Sequence, residues 1–399
     1  MDSIRSAGHR AGSQSNSKPL HSFILTILLV TVSVYAGAPQ VIWETTIPSE
    51  YDSRIWGIDF TDDGGAIAVG EAGTADEELE SLLIMKLTPQ GELQWQTETG
   101  WDLSTVGQDV LQVQGGYLVC GSTFSNSELD GFIAKFDYFG NEIWCNRLAH
   151  VDNDVLFDIA EATGGMYIAA GYTESTGAGG KDFWLVLVNS DGELEWTRSF
   201  GTAGSEVAYS VVPLSDGGYA ICGGSDGNFH MVICDEDGNG RAASSFNNGG
   251  HETARCIIES DDGGFLLVGS TMEDGGYQTD TWLVSTDSDC QEVWSLELEG
   301  DYNDCAWDAV ELDVGGFVIL SNTMSRGSGS YDTELIRMDP WGNIIWQMTV
   351  GDSAWNTTCG MALDEGGSIL MGGRTWSDES GSYNAWAVET GPEDLLEWP

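Results

Sequence analysis

The sequence predicts an all-β protein, a seven-bladed β-propeller of four-stranded antiparallel blades, with the N-terminal strand expected to join the last blade. Three observations predict it. A pair of glycines before a short apolar run recurs seven times, beginning at Gly64, Gly115, Gly164, Gly217, Gly263, Gly315 and Gly366. A tryptophan after a turn recurs in step with it, at Trp43, Trp95, Trp144, Trp196, Trp294, Trp346 and Trp398, with Ala242 in the one missing place. Both series shorten at the same copy: Gly217 to Gly263 and Trp196 to Ala242 each span 46 residues. One register therefore explains both, and a fixed period of about 50 residues is the mark of a repeat architecture.

Inside each unit the chain reads as four strands. The third unit gives Val155–Glu161, Met166–Gly171, Phe183–Val188 and Glu193–Phe200, with Asn189–Gly192 as the last turn. Short β-rich runs punctuated by Gly, Asp and Asn are hairpin signals. No stretch beyond residue 36 carries a helical apolar period long enough to compete. Four antiparallel strands repeated seven times must hide both faces of each sheet, and a ring of twisted sheets buries each against its neighbours. The tryptophans suit that ring, since each fills a wedge between blades. Burial of one such ring is worth about 3 kcal/mol. Ala242 should leave blade four weaker, or packed by another group such as Phe246.

Seven glycine pairs stand against eight tryptophan places. The surplus falls at the ends. Val41–Pro48 is expected to supply the closing strand, and Leu395–Trp398 competes for the same place. Eight blades would leave the first without three of its strands.

The N-terminus reads as an export signal. Arg5, Arg10 and Lys18 lead into the uncharged run Phe23–Val34, and Val34 and Ala36 occupy the -3 and -1 places before Gly37. Twelve apolar residues are short for a bilayer span. A membrane anchor and a buried strand are the alternatives. The expected domains are residues 1–36 as signal and 37–399 as propeller, with the mature protein secreted, periplasmic or on the cell surface and without stable membrane insertion.

The whole chain carries 14 basic and 64 acidic residues, a net charge of -50. Losing three basic groups and one acidic group with the signal leaves 11 and 63, a net of -52. Such a body repels nucleic acid and anionic lipid. The acidity is spread over every repeat and only four lysines occur. That composition fits a solvated surface, adaptation to high salt, or weak calcium binding. Export makes disulfides possible, but the eight cysteines take no fixed place in the repeat. Cys222 and Cys234 look like a facing pair. With Asp226–Gly227 as the turn, however, Cys222 faces Met231, and no disulfide is expected between them.

Asp137-x-x-Gly140-Asn141-x-x-Trp144 and Asp339-x-x-Gly342-Asn343-x-x-Trp346 resemble the tryptophan-docking repeat of pyrroloquinoline-quinone-type propellers. Looser copies lie at Gly91/Trp95, at Asn189/Gly192/Trp196, and at Asp287/Trp294, where Cys290 replaces the glycine. The unit as a whole resembles the DGG-type repeats of secreted bacterial and archaeal propeller proteins. The resemblance covers roughly residues 41–398 and implies the fold. The quinone enzymes of the first group use eight blades and a dedicated cofactor site. This chain has seven units and no residues that align with such a site, so no quinone cofactor is expected.

The first strand of a blade is expected to line the central channel. Seven residues before the first glycine of each pair stand Gly57, Gln108, Phe157, Ser210, Cys256, Asp308 and Cys359. Asp109 and Asp158 lie one residue further on, so Asp109, Asp158 and Asp308 are similarly placed. Two readings stay open. The carboxylates bond to nearby backbone, as turn-like aspartates do, or they form an acidic ring that binds a cation. Asp235, Asp237 and Asn239 resemble the start of an oxygen-rich calcium loop. That loop wants Glu at its twelfth position and finds Phe246. The same residues also make an ordinary turn of blade four.

Other chemistry is poorly marked. His150, His230 and His251, the histidines beyond residue 36, have no metal-ligand spacing, and nothing marks a nucleophile elbow. Two function classes remain. The first is a non-enzymatic binding or scaffold module for carbohydrate or extracellular protein, using the loops Tyr172–Lys181, Thr271–Thr279 and Thr323–Tyr331. The second is a polysaccharide-active hydrolase or lyase using channel carboxylates.

Overall fold

Positive-φ glycines, close backbone approaches and buried apolar strands recur from repeat to repeat. The structure is a computed structural model that describes residues 37–392 apart from 74–78, 126, 149–150, 274 and 379. Contacts divide the chain into Met1–Val30 and Thr31–Pro399, and the second unit carries the propeller. The expected signal segment, residues 1–36, and the competing strand Leu395–Trp398 lie outside the described residues. Among the described residues the chain forms 28 strands and no helix. No helix there is long and apolar enough to cross a membrane.

The strands form seven four-stranded antiparallel sheets. Blade three runs Asp154–Ala162, Met166–Thr173, Asp182–Val188 and Leu194–Phe200, within a residue or two of the sequence reading. Six sheets follow chain order from the inner to the outer strand. The seventh takes Asn356–Leu363, Ile369–Ser377 and Ser382–Thr390 from the C-terminal end, and Val41–Ile47 as its outer strand. Trp43 is thereby an outer-strand residue of blade seven.

The core is divided into seven apolar clusters, one at each blade interface. Ile67, Val69, Leu82 and Ile84 of blade one meet Val110, Val119 and Phe132 of blade two. The corresponding cluster between blades seven and one joins Leu370, Ala385 and Ala387 to Ile55 and Ile58. Each sheet is therefore buried on both faces, which explains why its middle strands read as unbroken apolar runs.

The glycine pair has two separate causes. Gly64 sits at φ 77, in the tight turn that returns inner strand Ser53–Phe60 to its neighbour. A Cβ on Gly65 would lie 2.2 Å from the Leu87 carbonyl oxygen. The first glycine supplies the conformation and the second the close approach.

The tryptophans lie between blades, but mostly half-buried. Trp43, Trp95, Trp144 and Trp196 each lie against the turn glycine of the following blade, so that a Cβ on Gly91, Gly140, Gly192 or Gly238 would strike the ring. Trp346 is the buried one, at 3% exposure, in a cluster with Ala38 and Trp386. Where Ala242 removes the ring, the following blade has Cys290 in place of the glycine. Cys290 is buried at φ 58, in the same apolar cluster as Phe246.

The cysteine reading agrees with the register: Cys222 pairs with Met231, and Cys234 with Tyr219. The two thiols enter different interfaces, and all eight cysteines are unpaired.

Candidate functional site

All seven inner strands carry a bulge at the same height. The register slips at Ile55/Gly57, Gly107/Asp109, Leu156/Asp158 and Ala208/Ser210. It slips again at Ala254/Cys256, Ala306/Asp308 and Thr358/Gly360. A bulge inserts an unpaired residue and re-aims its side chain. The result is two stacked rings around a central cavity of about 410 Å³.

The first ring is made by the bulged residues Trp56, Gln108, Phe157, Tyr209, Arg255, Trp307 and Cys359. The second is made by the residues that follow them, Gly57, Asp109, Asp158, Ser210, Cys256, Asp308 and Gly360. All fourteen line the cavity. The seven residues aligned from the glycine pairs thus all face the channel, but they mix the two rings. Gln108, Phe157 and Cys359 are bulge residues, whereas Gly57, Ser210, Cys256 and Asp308 belong to the second ring. The correction follows from turn length, because Val113 pairs directly with Gly116 in blade two while Phe60 pairs with Ala66 in blade one.

The second ring ties blade to blade. Asp158 Oδ2 accepts the Val211 N–H of the next blade at 2.7 Å. Asp308 Oδ2 accepts the Met361 N–H at 2.8 Å, and Asp109 Oδ2 the Ile159 N–H at 3.2 Å. Ser210 Oγ accepts the equivalent Ile257 N–H at 3.3 Å. The three aspartates therefore do bond to nearby backbone, and that backbone is the neighbouring blade's.

Desolvation raises all three carboxyls. Asp308 is pushed up to about 7 by burial, against the backbone N–H groups of Ala309 and Met361 that favour its anion. Burial raises Asp109 well above the ordinary carboxylate range, and the charge of Asp158 beside it adds to the shift. Burial raises Asp158 as well, and the two side chains interact directly. Like charges this close cannot both ionise freely.

The first ring and its rim are aromatic and basic. Arg255 stacks its guanidinium 4.2 Å from the Tyr209 centroid and 4.6 Å from that of Trp307. Trp307 lies 6.4 Å from Trp56, and Arg54 stacks 4.3 Å over Trp56. On the other side Phe157 meets Tyr209 at 5.0 Å. Second strands leave the bulges toward the end of the ring where inner strands begin. The loops Tyr172–Lys181 and Thr323–Tyr331, and the described part of Thr271–Thr279, therefore surround this mouth. Buried acids pin them: Asp332 Oδ2 accepts the N–H groups of Ser328 and Gly329, and Asp182 that of Ala178.

Asp235, Asp237 and Asn239 lie on the exposed turn between the third and fourth strands of blade four. Asp235 Oδ1 accepts the Asn239 N–H at 2.7 Å and the Asp237 N–H at 3.1 Å. Asp137 and Asp339 make the same two bonds in blades two and six. Among the described residues no group of three or more His, Cys, Asp or Glu side chains is gathered closely enough to hold a metal ion.

No family model matches the chain, and no curated protein matches it in sequence. Solved structures match its shape. A protein from Lactobacillus plantarum superposes with a TM-score of 0.53 at 12% identity, covering 82% of this chain and 96% of its own. YCF48, solved with a D1 peptide, gives 0.52 at 8% identity, covering 90% and 100%. Sqt1 from Chaetomium thermophilum gives 0.50 at 9% identity, covering 86% and 85%. At such identities the likeness is one of fold, and what this chain shares with these proteins is the β-propeller.

Proposed function

We propose that the protein is a secreted or cell-surface propeller that binds a carbohydrate or an extracellular protein without transforming it, at the mouth of its channel. One observation carries this reading: the cavity divides its chemistry by height. The carboxyls of the second ring are engaged with neighbouring backbone, while the mouth presents aromatic faces and guanidinium groups, which suit recognition. A glycan and protein binding screen on the mature chain, run beside a broad hydrolase assay, tests it. A ligand bound without turnover is the expected result; turnover without a defined ligand would refute it. Export belongs to the same proposal and places Gly37 first in the mature protein, as N-terminal sequencing from the native host would read.

The hydrolase or lyase reading keeps one supporting observation. Asp308, raised to about 7, has the poise of a general acid. The backbone of Ala309 and Met361, however, already gives it two N–H donors.

Weak calcium binding at Asp235, Asp237 and Asn239 is a separate proposal, supported by the oxygen-rich loop and by the net charge. A site there predicts a saturable rise in melting temperature with calcium that Asp237→Asn reduces. Equal rises in calcium and in sodium chloride of matched ionic strength, unaffected by that change, would leave only a turn on an acidic surface.

A further inference from the structure

We propose that the channel mouth is a receptor for a carboxylated sugar, a single uronic acid at the end of an otherwise neutral oligosaccharide. This rests on the binding reading above and names its ligand class. The first support is charge placed against the trend of the molecule. In a chain of net charge -50, Arg54, Arg255 and Arg374 all act on Cys359, one of the first-ring residues. They come from three different strands. Arg374 is held below the ordinary guanidinium value by burial and by the charge of Arg54. Glu71 faces Arg54 and Arg374, and its carboxylate accepts the Trp56 indole N–H at 3.0 Å. Glu80 lies beside Glu71, so two carboxylates stand against the three guanidiniums.

The second support is geometric. The Nε atoms of Arg54, Arg255 and Arg374 are each buried with no hydrogen-bond partner. Orphaned donors of charged groups are costly. Stacking on Trp56, Tyr209 and Trp307 holds the guanidinium plates of Arg54 and Arg255 flat. Flat plates present their edges in the fork that matches a carboxylate.

Size and overall charge narrow the class. The cavity, about 410 Å³, is at the small end for ligand sites, which run from about 300 to 1,000 Å³. It suits a small ring rather than a folded partner. The net charge opposes a densely charged polyanion such as nucleic acid, but a single carboxylate meets the arginines at little cost. Beside the mouth lies a second cleft of about 520 Å³, lined by Trp355, Trp376 and Tyr383 together with the carboxylates Asp352 and Asp378. Arg374 stacks 4.1 Å over Tyr383 of that cleft. Aromatic rings beside carboxylates suit neutral sugar rings, which favours an oligosaccharide with one acidic end over a lone organic acid.

Calorimetry on the mature protein tests this with three probes: a neutral oligosaccharide ending in one glucuronate, the methyl ester of that same oligosaccharide, and benzoate. The acid form should bind at least tenfold more tightly than the ester. Arg255→Gln and Arg54→Gln should each lower its affinity at least tenfold while the melting temperature stays within a few degrees, and Arg255→Lys should restore little. Trp376→Ala should weaken binding of the oligosaccharide more than that of glucuronate itself. Equal affinity for acid and ester would overturn the anion site and leave the carbohydrate-binding reading standing. Benzoate binding as tightly as glucuronate would overturn the sugar assignment. If no uronate binds while the screen returns another ligand, this inference alone fails; if the screen returns nothing, both fail.

Discussion

Asp308 has two tasks in the structure, and they pull its proton in opposite directions. Its carboxyl accepts the Met361 N–H of the next blade, which favours the anion, while burial favours the neutral acid and prevails, at about 7. A carboxyl whose folded pKa lies above its unfolded one, near 4, adds stability that is complete below about pH 4. That stability is lost as the pH rises to about 7. Asp308→Asn keeps an acceptor for Met361 and never ionises. Parent and variant are therefore expected to denature alike near pH 4. The variant should become progressively the more stable toward pH 7. Parallel profiles across that range would contradict the assignment. The sequence marked Asp109, Asp158 and Asp308 as comparable but left their role open, because a bulge and the unequal hairpin turns are invisible to a fixed offset. The arginines of the mouth were missed altogether. Arg54 and Arg255 occupy different heights of their strands and Arg374 lies on a second strand, so no repeat position collects them. A usable signal did exist: Trp56, Tyr209 and Trp307 each precede a second-ring residue by one place.

At the level of the blade, the repeat is maintained by matched pairs across interfaces. A tryptophan on one outer strand meets a positive-φ glycine on the next blade's turn, as Trp196 meets Gly238. Ala242 and Cys290 break both halves of the pair at one interface, and the thiol with Phe246 fills part of the space. Restoring one half should destabilise. Ala242→Trp would press the ring into the Cys290 side chain, and Cys290→Gly would empty the site, each costing about 1–3 kcal/mol. The double variant is expected to recover most of that loss. A double-mutant cycle by chemical denaturation reads the coupling, and additive losses would show that the two positions are independent. These elements were legible because spacing alone specifies them: glycine pair, turn and tryptophan recur within one chain and check one another. The outer strand of blade seven was not decidable from that pattern. Val41–Pro48 and Leu395–Trp398 both offered a strand with a tryptophan, and only the pairing of Val41–Ile47 with Ser382–Thr390 separates them.

On the scale of the whole molecule, the seven interfaces make a rigid acidic ring whose basic residues are few and, at the mouth, concentrated. Electrostatic self-repulsion spread over the surface is screened by salt, whereas guanidiniums stacked on aromatic rings inside a cavity are screened much less. Function in this account depends on the mouth of the channel, and the carboxyls behind it serve to join blades. The most direct test measures the affinity of Trp307→Ala, relative to the parent, for whichever ligand the glycan and protein screen returns. Turnover is followed in the same samples. At least a tenfold loss of affinity, an unchanged melting temperature and no turnover in either protein are expected. Unchanged affinity, or turnover that Asp308→Asn abolishes, would contradict this reading.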